Sequence, residues 1–497
     1  MRQLTSLDSQ FLALETRRQT GHVASVAILD PSTTPTGTLT VADVEALITD
    51  RLPLLPPLRW RLREVPLGLD YPYWIDDVDF DLHFHVRELG LAAPGTDEQL
   101  AEQVARIVSR PLDRAHPLWE LYLISGLQSG NLALLTKIHH AVIDGLSGAE
   151  IMGLLLDLTP EIRKIETSGP WGDNAVPSDL GMLVRGVAGA VRYPLRALTA
   201  LPRALPNLEE TQFKTIPGAA ALGNLVARAQ HAITRQDGRV QRTSLVAPKT
   251  SFNGRISAHR RFTFGQLSLD DVKAVKNAHH CTVNDVIVSI CAGAVRRWLI
   301  EHEELPAEPL VAQIPVSVRT EEQFGTYGNR IMLMAAALHT EIADPVDRLH
   351  RTHESLGDMK ERHRALPASL LADANHFIPP AVFSRAARLT FGIATSRPGR
   401  PVWNLVISNV PGPQFPLYCA GAKLVAHYPV SVITHGMGLN ITVMSYIGHL
   451  DFGIVADREQ MPDVALLMGW LRDELELLRR REAPKPKPAK HKRAARA

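Results

Sequence analysis

Cysteine is scarce in this sequence: Cys281, Cys291 and Cys419 are the three among 497 residues. Three widely separated thiols supply neither a disulfide framework nor the ligand spacing of a zinc site. This scarcity is typical of proteins from a reducing compartment. We therefore expect a cytoplasmic protein with no structural disulfide.

Long apolar runs and an excess of one charge are missing as well. No window offers the roughly 18 uncharged apolar residues of a transmembrane helix, and the N-terminus lacks the layout of a signal peptide. A net charge of +2 provides no global field that would favour nucleic acid. We expect no nucleic-acid partner, and only peripheral contact with a membrane.

The composition is that of a globular protein, with 45% hydrophobic and 21% charged residues. Strands are predicted at 23–29, 121–124, 132–138, 260–264, 310–318 and 402–407, with a hairpin at 439–446 and 450–456. Helices are predicted from a capping box at Thr40 and Asp43 through residue 52, and at 96–108, 270–278, 283–299, 344–396 and 464–478. This mixture indicates an α/β or α+β fold.

The chain is too long for one ordinary core, so we expect two large domains. The predicted N-terminal domain spans 1–160, a crossover linker 161–250, the C-terminal domain 251–480, and a basic disordered tail 481–497. The linker contains four arginines on one narrow helical face: Arg185, Arg192, Arg196 and Arg203. Such a face is usually just solvated, but its apolar opposite side also fits an interfacial helix.

The most informative segment runs from Lys137 to Gly148. An apolar strand ends in His139 and His140, Asp144 follows four residues later, and Gly145 permits a tight turn. A capping box formed by Ser147 and Glu150 then opens an apolar helix. The histidines therefore lie at a strand-to-helix loop, a place where proteins often mount catalytic groups.

Acyl transfer to a hydroxyl suits this segment. A neutral imidazole deprotonates the attacking alcohol near neutral pH and can return the proton to a leaving thiolate. We predict His140 as this base, with no serine nucleophile. Asp144 either accepts the other ring N–H or pairs with an arginine that stiffens the loop, and we favour the arginine.

The plainer alternative is that His139 and His140 are core histidines that end a strand. The spacing of the Asp-Gly pair between a strand and a capped helix favours the functional interpretation. A metal site would need a third ligand at suitable spacing, and none lies nearby in the sequence.

His139 to Gly145 resembles the HHxxxDG signature of coenzyme-A-dependent acyltransferases, a group that includes chloramphenicol acetyltransferase and nonribosomal condensation domains. Residues 111–120, Pro-Leu-Asp-Arg-Ala-His-Pro-Leu-Trp-Glu, resemble the PLDRxRPLWE box of the bacterial wax ester synthase/diacylglycerol acyltransferase family, with His116 in place of an arginine. Further segments resemble that family in order, namely 7–12, 79–82, 252–254, 284–286, 315–319, 328–329, 409–413 and 453–457. The match extends to about residue 480.

This resemblance implies a two-domain, chloramphenicol-acetyltransferase-like α/β fold with a central channel between the domains. His140 would be the base at its centre, with His139 and Asp144 in support and Gly145 forming the turn. Acyl-CoA would be a co-substrate, with no cofactor and no metal. The products would be triacylglycerol from diacylglycerol, wax esters from fatty alcohols, or both.

Four further residues are candidates for substrate binding: Asn284, Arg319, Ser408 and Asn409. Ordinary roles compete with each of them. Asn284 opens a predicted helix, Arg319 would be an ordinary surface arginine at the end of a strand, and Ser408 with Asn409 would simply form the Pro-Gly-Pro turn. Arg319 could instead pair with Asp144 or Asp285. The sharper alternative for the last pair is a donor to the developing oxyanion.

The sequence leaves the acceptor and the assembly open. Alternatives to triacylglycerol or wax ester synthesis are a same-fold enzyme acting on a specialised hydroxyl or amine, and a weakly catalytic lipid-binding protein. We expect a monomer or dimer that associates peripherally with membranes or lipid droplets, since both substrates are lipids.

Overall fold

A computed structural model of the chain describes residues 2–143, 153, 155–164, 178–185, 247–317, 331–364 and 401–481. Several predictions fall on other residues and so lie outside the described part. They are the capping box at Ser147, the arginines at 192, 196 and 203, the helical region beyond 364, and the tail after 481.

The α-helices used below are Ser6–Leu14 (α1), Val41–Arg51 (α2), Leu82–His85 (α3), Asp97–Val108 (α4), His140–Ile143 (α5), Leu269–Ala278 (α6), Val283–Glu301 (α7), Pro345–Arg364 (α8) and Leu466–Arg480 (α9). Four of them are preceded by a threonine that forms a capping box. The threonine side chain accepts the backbone N–H of the residue three positions later, and the side chain of that residue accepts the backbone N–H of the threonine. The pairs are Thr5 with Asp8, Thr40 with Asp43, Thr96 with Gln99, and Thr282 with Asp285. Such caps contribute about 1 kcal/mol each.

The strands are Arg2–Gln3 (β1), His22–Asp30 (β2), Trp60–Arg63 (β3), Tyr73–Asp76 (β4), Val86–Gly90 (β5), Trp119–Ser125 (β6), Leu132–His139 (β7), Arg260–Ser268 (β8), Val311–Ser317 (β9), Ile331–Ala337 (β10), Leu405–Val410 (β11), Tyr418–Cys419 (β12), Ala422–Val430 (β13), Leu439–Tyr446 (β14) and His449–Asp457 (β15). Most predicted strands and the predicted hairpin are confirmed, while several elements, among them α1, β5, β10 and β13, were not predicted.

The described strands form two six-stranded sheets and one small sheet. The N-sheet has the order β12-β13-β2-β7-β6-β5, and the C-sheet has the order β10-β9-β11-β14-β15-β8. Strands β1, β4 and β3 make the small third sheet. The mixed α/β fold with two sheet-rich halves is thereby confirmed.

Strand β7 lies inside the N-sheet, paired antiparallel with β2 on one side and β6 on the other. Its residues Ala133 and Leu135 are fully buried, as is Val26 on β2. Burying a large apolar side chain contributes about 1.5–3 kcal/mol. The carboxyl end of β7 is therefore a fixed point of the fold, and the residue after β7 is His140.

Strand β13 ties the two halves of the chain together. It follows the C-sheet strand β11 in sequence but pairs with β2 in the N-sheet, with Tyr428 opposite Val26. It also packs against β15, where a Cβ on Gly453 would lie 1.7 Å from the carbonyl oxygen of Pro429. Only glycine allows this approach.

The predicted domain boundaries at 160, 250 and 480 stay predictions.

None of the helices in the described ranges combines the length and apolar character needed to cross a membrane. Part of the predicted linker is described, including a short helix at 179–185. Its Met182 packs against Val65, Tyr73 and Ile75, in and beside the small sheet.

Candidate active site

The histidine pair lies where β7 ends and α5 begins. The N–H of His139 donates to the carbonyl of Leu118 at 2.9 Å, and the N–H of His140 donates to the carbonyl of Gly21 at 2.9 Å. The residues just before β6 and β2 thus bind the backbone of His139 and His140 from opposite sides of β7. The position of the His140 backbone follows from the register of the N-sheet.

His139 is a buried, neutral histidine. It is 1% exposed, and burial lowers its pKa to about 3, with His140 and Arg114 contributing in the same direction. Its Nδ1 accepts the N–H of Ala141 at 3.1 Å. A neutral ring whose Nδ1 accepts must carry its proton on Nε2. His139 therefore fits the core role, and it stabilises the first turn of α5.

His140 has a different environment from its neighbour. It is half-buried, and its ring stacks on Phe11 with centroids 4.5 Å apart and an angle of 7° between the planes. Aromatic stacking holds one face of the imidazole and leaves the ring edge, which carries the nitrogens, out of that contact. The structure thus gives the two histidines different environments.

Glu15 connects several parts of this site. Its Oε1 accepts the N–H of Gly21 at 2.9 Å and lies 3.7 Å from Nε2 of His139. Its Oε2 accepts two hydrogen bonds from Arg114, at 2.8 and 3.3 Å. The side chain is 7% exposed, so its charge needs the arginine as a partner. Glu15 was not among the predicted site residues.

Gly21 is the second site residue that the sequence did not reveal. A Cβ there would lie 2.6 Å from Nε2 of His139, closer than real Cβ contacts. The imidazole of His139 therefore packs directly on the backbone at Gly21. The only local signal is a glycine immediately before a strand, which is too common to indicate a site.

Residues 111–120 contact other parts of the site through Arg114 and Trp119. Arg114 binds Glu15 and donates to the carbonyl of Leu12 at 2.7 Å, and Trp119 donates from Nε1 to the carbonyl of Leu58 at 2.7 Å. His116, which replaces the arginine of the resembling family, stacks on Phe84 at 4.0 Å. In this chain position 116 makes an aromatic contact.

Glu120, the last residue of that box, belongs to a buried ion pair. Its carboxylate lies 3.2 Å from Nζ of Lys137, which is fully buried and also donates to the carbonyl of Arg110 at 2.7 Å. Lys137 is two residues before His139, so its side chain points to the same face of β7. The ion pair therefore links the C-terminal end of β7 to β6.

Asn284 and Asn409 meet in the C-sheet half. Nδ2 of Asn409 donates to Oδ1 of Asn284 at 3.3 Å, and both residues are half-buried. Asp285 completes the cap of α7 with Thr282, and its Oδ2 lies 2.6 Å from Nδ1 of His353. The described partners of Asp285 therefore include a histidine that was not predicted.

The prediction that Ser408 and Asn409 form the Pro-Gly-Pro turn is wrong. Both belong to β11, where Ser408 is opposite Thr442 and Asn409 is opposite Val443 of the parallel strand β14. The strand starts later and ends later than the predicted 402–407, because pairing with β14 continues through Val410.

Asp144, Gly145 and Arg319 lie outside the described residues. Their predicted roles, including the pairing of Arg319 with Asp144 or Asp285, stay predictions, as does the central channel. Within the described ranges no group of three or more histidine, cysteine, aspartate or glutamate residues is placed to hold a metal ion.

Two family models match the chain. The model described as the wax ester synthase/diacylglycerol acyltransferase catalytic domain matches residues 4–287, and the model of the WS/DGAT C-terminal domain matches residues 327–479. Together they cover the histidine pair and every strand of the two six-stranded sheets except β9.

Curated relatives match along nearly the full chain. A Mycobacterium tuberculosis protein named as a diacylglycerol O-acyltransferase is 34% identical over 466 residues, covering 93% of this chain and 87% of the relative. The O-acyltransferase WSD of Acinetobacter baylyi is 32% identical over 483 residues, covering 96% of this chain and 97% of the relative.

A solved structure shares the fold. The wax ester synthase/diacylglycerol acyltransferase from Marinobacter aquaeolei VT8 superposes with a TM-score of 0.67 at 27% sequence identity, covering 96% of this chain and 98% of that one. The similarity spans both halves of the molecule.

Proposed function

The chain belongs to the wax ester synthase/diacylglycerol acyltransferase family, and from that membership we propose that His140 is the general base of its acyl transfer. The chain is an O-acyltransferase that forms triacylglycerol from diacylglycerol, wax esters from fatty alcohols, or both. Acyl-CoA and an acceptor alcohol are its substrates.

In the proposed step the neutral imidazole of His140 takes the proton of the acceptor hydroxyl as its oxygen attacks the thioester carbonyl. The carbon–sulfur bond then breaks, and the imidazolium returns the proton to the leaving thiolate. The products are an ester and free coenzyme A, so no proton is left over. A positioned base of this kind contributes about 10²–10⁴-fold in rate.

One observation carries the choice of His140 over His139. His139 has its Nδ1 occupied by Ala141, is 1% exposed, and has a pKa of about 3, so it is a poor proton acceptor near neutral pH. His140 is half-buried at the end of the strand with one ring face on Phe11. Only His140 of the two has an environment suited to exchange with a substrate hydroxyl.

An acceptor panel tests the activity. Purified protein receives radiolabelled palmitoyl-CoA with diacylglycerol, with hexadecanol, or with neither, and lipid products are separated by chromatography. We expect label in triacylglycerol or wax ester only where the matching acceptor is present. Label that stays in palmitoyl-CoA, or that appears only as free palmitate in all three reactions, would contradict the proposal.

We further propose that the chain works in the cytoplasm at a membrane or lipid-droplet surface. Six lysines and arginines lie between residues 485 and 497, and each basic residue near an anionic surface adds about 1 kcal/mol. Deleting 481–497 should weaken sedimentation with anionic vesicles and spare turnover of a short-chain soluble acceptor. Equal sedimentation of both proteins would remove the tail from this role.

A further inference from the structure

We propose that Phe11 and Glu15, at the C-terminal end of α1, are positioning residues for His140. They are four residues apart, so they lie one helical turn apart on one side of the chain. Phe11 contacts the ring of His140, and Glu15 acts on its backbone through Gly21. The inference rests on the proposed role of His140 as the base.

Phe11 controls the ring directly. Nearly parallel planes at 4.5 Å leave no room on that side for the imidazole to rotate about its bonds. The negative face of an aromatic ring also attracts a cation, so this contact favours the imidazolium that forms during proton transfer. Phe11 thus affects both the orientation of the base and its protonation.

Glu15 controls the backbone through one intervening residue. Its Oε1 holds the N–H of Gly21, and the carbonyl of Gly21 accepts the N–H of His140, each at 2.9 Å. The same oxygen faces Nε2 of His139, the ring atom that carries the proton when Nδ1 accepts from Ala141. The carboxylate therefore favours the tautomer of His139 that stabilises the start of α5.

The end of α1 is itself held in place. Arg114 joins Oε2 of Glu15 to the carbonyl of Leu12, and the capping box of Thr5 and Asp8 fixes the other end of the helix. Because these contacts are made without His140, the helix supplies a rigid support for it. This arrangement gives a structural reason for the motif at residues 7–12.

The experiment compares Phe11→Leu and Glu15→Gln in the native sequence and in a His140→Ala background. Steady-state kinetics give kcat, KM for palmitoyl-CoA and the pH profile of kcat/KM. Phe264→Leu removes an aromatic contact with Phe262 and Tyr428, away from the site, and Glu474→Gln removes a buried carboxylate bound to Arg348. These two serve as matched controls, and melting temperatures check folding.

We expect Glu15→Gln to lower kcat about tenfold with KM changed less than twofold, since ordering of the base is lost while substrate contacts remain. Phe11→Leu should lower kcat and move the acidic limb of the profile about half a pH unit lower, because the imidazolium loses its aromatic partner. Phe11→Tyr should restore the profile. In the His140→Ala background both changes should leave the residual rate as it is.

Two outcomes would overturn the inference alone. In the first, His140→Ala loses activity, while Phe11→Leu and Glu15→Gln keep the native kcat and the native pH profile. The other is an equal further loss in the His140→Ala background, which would mean that the residues act without the histidine. A native rate in folded His140→Ala would instead overturn the proposed base, and this inference with it.

Discussion

The histidine pair and the asparagine pair have different kinds of polar contact. At the end of β7, His139 lies beside Glu15, which is bonded to Arg114, and both charged residues are also bonded to the backbone. In the C-sheet half, Asn284 and Asn409 share one neutral amide hydrogen bond of 3.3 Å.

The two kinds of contact differ in strength. Hydrogen bonds to charged groups contribute about 1.5–3 kcal/mol, whereas neutral ones contribute about 0.5–1.5 kcal/mol. A base must stay within a narrow range of positions during proton transfer, and the N-sheet provides that rigidity.

The largest predicted effect is acid destabilisation of the N-sheet half. Burial lowers the pKa of four histidines in or beside that sheet: His85 and His427 to about 4, His139 to about 3, and His22 well below its ordinary value. The unfolded chain binds more protons at these sites below pH 6.5, so stability is lost as the pH falls below that value.

Asp451 of the C-sheet half acts in the opposite sense. Burial raises its pKa to about 6, so the folded state holds the extra proton between pH 6 and 4 and offsets about one histidine. Near pH 5 these five groups together should take up about three protons on unfolding, which lowers the free energy of unfolding by about 4 kcal/mol per pH unit. Burial also lowers the pKa of His279 and His435, which add in the same sense. Urea unfolding at pH 7, 6 and 5 measures this slope.

A matched variant sharpens that test. His85→Gln removes one titrating group in the N-sheet half and should reduce the proton uptake at pH 5 by about one. A urea midpoint that does not change between pH 7 and pH 5 would contradict the acid destabilisation expected from these histidines.

Gly21→Ala should have the next largest effect. The new methyl group would meet the ring of His139 at 2.6 Å, and overpacking of this kind costs about 1–3 kcal/mol. Because the carbonyl of Gly21 also holds His140, we expect kcat to fall at least tenfold, as seen in the acceptor assay. Gly90→Ala, whose Cβ would meet Ser125 at an ordinary 3.8 Å, is the control, and equal activity of the two variants would count against a tight site.

Asn409→Ala should have the smallest effect. It removes one neutral hydrogen bond to Asn284, so the free energy of unfolding should fall by about 0.5–1.5 kcal/mol, and kcat/KM should fall less than in Gly21→Ala. A loss of a hundredfold or more would show that the C-sheet pair takes a larger part in the chemistry than its single contact suggests.

Local patterns explain which elements the sequence predicted. The helix from Thr40 has its capping box, and the hairpin strands β14 and β15 are adjacent in sequence, so their signals lie within a few residues. Strand β13 was missed because its partner β2 is about 400 residues away and because Pro429 argues against an interior strand.

The same distinction between local and long-range signals applies to the residues of the site. The histidine pair was predicted because the strand, the Asp-Gly pair and the helix signal are contiguous. Glu15 and Gly21 were not, since their contacts with His139 depend on the register between β2 and β7. Phe11 was noted only through a family resemblance, and its stacking on His140 requires α1 to pack on α5.

The central claim is that His140, and not His139, accepts the proton of the acceptor alcohol. The most direct measurement compares kcat of His140→Ala with the native protein under saturating palmitoyl-CoA and acceptor, after circular dichroism confirms folding. The account predicts a loss of about 10²–10⁴-fold with KM nearly unchanged. A folded His140→Ala protein that turns over at the native rate would contradict it.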